Sequence, residues 1–168
     1  MEIRHILAPT DYSEFSKQAI EYAFALAQTF GAKLTLLHVI EALPPYIGFI
    51  PQGEATTVLE NLERQACLDL AKLVPKAEDA KVEITCQAVT GTPYLKIIEV
   101  ANAMRTDVIV MATHGRTGFN HFVMGSVAER VVRAAPCSVL TMRPPAATVA
   151  GRERHAPGER PELVSTLH

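Results

Sequence analysis

From Met111 to Ser126 the chain reads Met-Ala-Thr-His-Gly-Arg-Thr-Gly-Phe-Asn-His-Phe-Val-Met-Gly-Ser. The chemistry written there is anion binding. The run follows the apolar strand signal Asp107-Val108-Ile109-Val110-Met111, turns through Gly115 and Gly118, and ends on Gly125-Ser126, where a helix opens. A loop that leaves a buried strand on small residues and closes on a helix N-terminus aims backbone N–H groups, and the positive end of the helix dipole, at a negative ligand. Gly115 can take a positive φ and lets phosphate approach the backbone. Arg116 sets a charged donor beside it, and Ser126 adds a hydroxyl. The loop is not a Walker A sequence, because it lacks the lysine of a P-loop.

A second polar group stands after the first strand signal, in Pro9-Thr10-Asp11. The Asp11 carboxylate can accept hydrogen bonds from ribose hydroxyls, as carboxylates do in related doubly wound sheets.

The surrounding pattern decides whether these groups can meet. Strand signals cover 3–8, 33–40, 82–89, 108–112 and 137–142, helical stripes cover about 13–30, 54–73 and 126–135, and another helix starts at 92–93. Gly31 stops the first helix, Thr92-Pro93 starts the third as cap and first turn, and Pro136 ends the fourth. The third strand alternates apolar and polar side chains, which marks an edge, whereas 108–112 is apolar on both faces and so central. Strands alternating with helices of this length give a parallel sheet. The expectation is an α/β fold with one doubly wound five-stranded sheet, order 3-2-1-4-5, and helices on both faces. Ligands in such sheets sit outside the carboxyl ends of the strands where the order reverses, here between strands one and four. The loops after Ala8 and Ala112 then flank one crevice, with His38-Val39-Ile40 alongside.

Bulk properties narrow the function classes. With 168 residues the chain has room for one well-buried domain, expected over 1–143, and its 48% apolar and 20% charged content is that of an ordinary globular protein. A formal charge of −2 leaves no footprint for nucleic acid, and no apolar run approaches the ~20 residues that span a bilayer. The start of the chain enters a strand without a signal-peptide layout. Cys67, Cys86 and Cys137 are odd in number and widely spaced, and read as buried thiols of a reducing compartment, the cytoplasm. Residues 144–168 mix proline with Arg, Glu and Ala and read as a flexible tail. A Pro-rich loop, with Pro44, Pro45 and Pro51, precedes the second helix. No His or Cys spacing matches a metal site.

Bland roles compete for the same residues. Ser126-Val127-Ala128-Glu129 has the form of a capping box, with Ser126 as the cap. Asp11 is placed to help cap the first helix. His114 has no carboxylate partner fixed by sequence and reads as a phosphate-contacting or turn residue rather than a base. His38 reads as structural, and Arg130 and Arg133 as a solvated helix face.

Taken together, Pro9-Thr10-Asp11-Tyr12-Ser13, Leu36-Leu37-His38-Val39, Gly91-Thr92-Pro93, the 107–126 segment and Pro136-Cys137-Ser138-Val139-Leu140 resemble the universal stress proteins over residues 1 to about 143. ATP-binding members are similar to one another in a loop of the form Gly-x2-Gly-x9-Gly-[Ser/Thr]. Here Gly115, Gly125 and Ser126 match, and Ala112 replaces the first glycine, which puts a methyl group where the pattern leaves room for nucleotide. The resemblance implies that Asp11 contacts ribose and that Val39 contacts adenine through its main chain. It places Ala112, His114, Gly115, Arg116, Gly125, Ser126 and Val127 around the phosphates, and Pro9 and Thr10, which flank the crevice by topology, count with Asp11 among the expected binding residues. It implies a homodimer formed through strand five, Cys137 to Met142. The expected function is that of a stress-response regulator binding ATP or AMP, any Mg2+ arriving with the phosphates. A nucleotide-independent interaction protein of the same fold is the alternative. Phosphoryl transfer needs charge neutralisation at the γ-phosphate and a positioned base; the loop has no P-loop lysine and the sequence identifies no in-line base, so slow hydrolysis is the most that is expected.

Overall fold

The computed structural model describes residues 2–41, 52–74, 82–113 and 125–143, with the side chains of 52–55 left aside. Within them the order is β1 (His5–Thr10), α1 (Glu14–Phe30), β2 (Lys33–Ile40), α2 (Gln52–Ala71), β3 (Ile84–Thr90), α3 (Pro93–Ala103), β4 (Val108–Ala112), α4 (Ser126–Ala134) and β5 (Ser138–Met142). The bounds lie within about two residues of those read from the sequence, the usual uncertainty of element ends. The Pro-rich loop and the 144–168 tail lie outside the described residues.

All pairings are parallel, and the strand order is β3-β2-β1-β4-β5. Because successive strand side chains point to opposite faces, two cores form. Ile6, Ala8, Leu34, Leu36, Val108 and Val110 pack under Ile20, Ala23, Phe24 and Ala27 of α1 and Leu70 of α2. Leu7, Leu37, Ile109 and Met111 pack under Ile97, Val100 and Ala101 of α3 and Ala128 and Val131 of α4. Nothing polar interrupts β1 between Ile6 and Pro9, which is what a strand covered on both faces requires.

Local chemistry sets the helix ends. Ser13 caps α1 by accepting from the Ser16 N–H at 3.3 Å, and Gly31 closes it with φ 63°, a left-handed conformation that glycine takes without a Cβ penalty. Thr92 and Pro93 start α3 as the sequence indicates, although the Thr92 side chain makes no capping bond.

Asp107 fastens the amino end of the sheet. One carboxylate oxygen, Oδ2, accepts from the Arg4 and His5 N–H groups at 2.8 and 2.9 Å, while the Asp107 N–H donates to the His5 carbonyl at 2.9 Å. This sets β1 beside β4, in the register Ile6 to Val108. The two backbone N–H groups hold the Asp107 carboxyl below the usual aspartate range, chiefly through Arg4 and then His5.

A carboxylate whose folded-state pKa is depressed contributes stability above its unfolded pKa and loses it as pH falls through the folded value. Asp107→Ala is therefore expected to cost on the order of 1 kcal/mol at neutral pH. The difference from wild type should hold down to about pH 4 and shrink below it. Urea unfolding of both proteins across pH 3–7 measures this; a difference that stays constant into acid would assign the loss to packing.

Candidate functional site

At the carboxyl ends of β1, β2 and β4 the chain leaves a cavity of about 630 Å³. Its position follows from topology: β1 and β4 are neighbours, α1 packs on one face of the sheet and α4 on the other, and the cavity lies at that switch of face.

The apolar floor belongs to the α3/α4 face. Leu37, Val39, Ile97, Met111, Val127 and Ala128 line it, and all belong to or pack against that core. Pro9, Ile40, Pro93 and Ala112 complete the apolar wall.

The polar rim has two unlike sides. On the β1 side stand Thr10, Asp11 and Ser16. Ser16 Oγ donates to the Ser13 carbonyl at 2.9 Å, which leaves Thr10 Oγ1 as the donor in its 2.7 Å bond to Ser16 Oγ. Both hydroxyl hydrogens are thus committed inside the protein, and what the two oxygens can offer a ligand is lone pairs. Asp11 adds a carboxylate that also accepts from the Ser13 N–H at 3.1 Å. This wall accepts hydrogen bonds. Facing it are Gly125, Ser126 and Val127 at the start of α4. The first N–H groups of a helix have no intrahelical acceptor, and among the described residues no side chain caps this one. This wall donates.

Tyr12 holds the β1 turn in place. Its φ of 64° is left-handed for a non-glycine residue and costs on the order of 1 kcal/mol. The Tyr12 N–H donates to Thr10 Oγ1 at 3.0 Å, and its hydroxyl donates to the Ala66 carbonyl of α2 at 3.1 Å. Its ring lies 4.3 Å from that of His38, whose Nδ1 donates to the Thr10 carbonyl at 2.8 Å. His38 is structural, as its place in the strand indicates, and it also borders the cavity.

Opposite, Thr113 ties three elements together. Its N–H and hydroxyl both donate to the Met142 carbonyl of β5, and its own carbonyl accepts from the Gly125 N–H at 2.7 Å. That last bond fixes Gly125 as the α4 cap, with φ −59° and ψ 145°, and Gly125 O accepts from the Glu129 N–H at 3.0 Å. Ser126 is then the first helical residue, exposed and not the cap, so the capping-box reading is corrected. Arg130 and Arg133 are exposed as expected. Arg133 pairs with Glu129 at 3.0 Å, and the Arg130 guanidinium lies 5.0 Å from the Tyr94 ring centre.

Of the residues singled out in the sequence, Pro9, Thr10, Asp11, Val39, Ala112, Gly125, Ser126 and Val127 all border this one cavity. His114, Gly115 and Arg116 lie outside the described residues. Ser16, Leu37, Ile97 and Met111 were missed. Strand parity could have found Leu37, two positions before Val39, and helical spacing could have found Ile97, one turn after Pro93. The cysteines are half-buried rather than fully buried, and are free thiols. Among the described residues no cluster of His, Cys, Asp or Glu could hold a metal, and no helix is long and apolar enough to cross a membrane.

Known proteins resemble this chain. The sequence model of the universal stress protein family matches residues 2–143. Universal stress protein MJ0531 of Methanocaldococcus jannaschii is 34% identical over 142 residues, 84% of this chain and 83% of that protein. The structure of MJ0577 from the same organism superimposes with a TM-score of 0.73 at 25% identity, covering 88% of this chain and all of that one. A universal stress protein solved in complex with cAMP has the same fold, with a TM-score of 0.57 at 22% identity over 85% of this chain and 98% of that one.

With Gly125 as cap, Ser126→Ala is expected to change unfolding free energy by less than about 0.5 kcal/mol, as for an ordinary surface position. Denaturant titration measures it; a loss of 1 kcal/mol or more, the usual cost of removing a capping hydroxyl, would restore Ser126 as the cap.

Proposed function

The chain belongs to the universal stress protein family, and on that premise we propose that its cavity binds an adenine nucleotide, ATP or AMP, and that the protein acts as a nucleotide-responsive regulator in the stress response. The opposition of the two walls carries the proposal. A nucleoside phosphate carries hydroxyl donors at its sugar and acceptor oxygens at its phosphates. The acceptor wall of Thr10, Asp11 and Ser16 suits the sugar, and the donor wall at Ser126 and Val127, behind the Gly125 cap, suits the phosphates. Between them the apolar floor suits the flat face of a base, with the Val39 main chain at its edge. The volume, about 630 Å³, lies within the range of small-molecule sites. The solved relative holding cAMP supports an adenine nucleotide as the ligand class for this fold.

His114, Gly115 and Arg116 join the phosphate side in this reading, and any Mg2+ enters with the phosphates. No described residue is assigned as an in-line base, so binding rather than turnover is the activity proposed. We further propose a homodimer paired through β5. That strand ends the sheet, bonded on one side to β4, and Leu140 on it is 36% exposed. Sheet edges are ready templates for a second copy.

Calorimetric titration with ATP and with AMP tests the binding. Heat and a thermal upshift are expected, and no response at millimolar nucleotide would leave an interaction scaffold in place of a nucleotide binder. Asp11→Asn keeps a side-chain acceptor for the Ser13 N–H but removes the charge facing the sugar, and is expected to weaken binding about tenfold. Ala112→Gly removes the methyl group beside the phosphates and is expected to tighten binding by up to about tenfold. If Ala112→Gly binds nucleotide and wild type does not, the native cavity is closed by that methyl group.

A further inference from the structure

Two of the three cysteines face one seam. Cys67, on α2, donates through Sγ to the Cys86 carbonyl of β3 at 3.6 Å. The Cys86 side chain packs into the core on the α1/α2 side of the sheet, the side from which α2 approaches. Both are half-buried free thiols, so a small reagent can reach them. One helical turn before Cys67, Glu63 Oε1 accepts from Thr90 Oγ1 at 3.0 Å and holds α2 to the same strand. One residue before Cys67, Ala66 O accepts the Tyr12 hydroxyl. Both bonds fix α2 in the turn that leads into Cys67, one of them to β3 itself. The Cys67 sulfur thus lies against the backbone that carries the second thiol, the juxtaposition a disulfide requires. Cys137 sits apart, against the α3/α4 core.

We propose that Cys67 and Cys86 form a reversible intramolecular disulfide by exchange with a low-molecular-weight disulfide such as oxidised glutathione. The Cys67 thiolate attacks one sulfur of the reagent, its S–S bond breaks, and the departing thiolate takes up the proton that Cys67 lost. The Cys86 thiolate then attacks the Cys67 sulfur of the mixed disulfide and expels the second small thiolate, which takes the Cys86 proton. Two protein thiols are oxidised and one small disulfide is reduced to two thiols. Burial, and then the neighbouring Cys67, push the Cys86 thiol above its ordinary range, which suits it to the second, intramolecular attack rather than the first. The bridge would fasten α2 to β3, and its formation does not depend on nucleotide binding.

The test uses the full chain, reduced and then held in excess oxidised glutathione, with free thiols alkylated under denaturing conditions and peptides mapped by mass spectrometry. The expected result is a linked peptide joining Cys67 to Cys86, with both at least about tenfold less alkylated than Cys137 and the yield independent of protein concentration. Cys137→Ser should keep the link. Cys67→Ser and Cys67→Ala, each checked for native circular dichroism, should abolish it. Full alkylation of all three cysteines, a mixed disulfide on Cys67 that persists unresolved, or linkage scrambled equally to Cys137 would each overturn the proposal.

Discussion

Where β1 meets β4 the chain leaves the sheet in opposite directions, and the rest of the site depends on that parting. β1 and β4 are neighbours, yet one leads to α1 on one face and the other to α4 on the other face. The backbone groups at both ends must find partners elsewhere, and they do so in ways that give the two rims opposite character. At β1 the partners are hydroxyls and a carboxylate, which turn their lone pairs outward. At β4 the partner is the Gly125 N–H, which bonds the Thr113 carbonyl and leaves Ser126 and Val127, the first residues of α4, at the cavity. The polarity of the cavity is thus a consequence of the winding, made specific by Thr10, Ser16 and Gly125.

Holding the rims rigid requires compensation. Tyr12 keeps an unfavourable backbone conformation because its N–H, hydroxyl and ring are each engaged, with Thr10, Ala66 and His38 respectively. The contacts reach from β1 to β2 and α2, so the turn carrying Asp11 is braced by three elements. On the opposite rim Thr113 joins the ends of β4 and β5 to the start of α4. A site braced in this way loses little ordering entropy when occupied. At the amino end of the sheet Asp107 sets the β1/β4 register on which both rims rest.

The sheet order was readable because burial on both faces leaves an uninterrupted apolar run, seen at Ile6–Ala8 and at Val108–Met111, whereas the edge strand β3 alternates. The cavity residues were readable where motif and topology agreed, at Asp11, Val39, Ala112 and Gly125. The capping box failed because a local pattern was read without its long-range competitor: the bond from Gly125 to the Thr113 carbonyl selects the cap, and no sequence spacing reveals it. Ser16 escaped because a serine one turn into a helix looks like a neutral surface residue, while here it is 4% exposed and bonded to Thr10. The thiol seam escaped for a similar reason, since Cys67 and Cys86 lie on elements whose docking only tertiary packing decides.

Amide shifts in a two-dimensional 15N–1H spectrum, followed as AMP and then ATP are added, report both walls at once. The account predicts that Gly125, Ser126 and Val127 move together with Thr10, Asp11 and Val39, and that the α4 amides move further with ATP than with AMP. Shifts confined to β5 or the outer helix faces, or a spectrum unchanged at millimolar nucleotide, would contradict it.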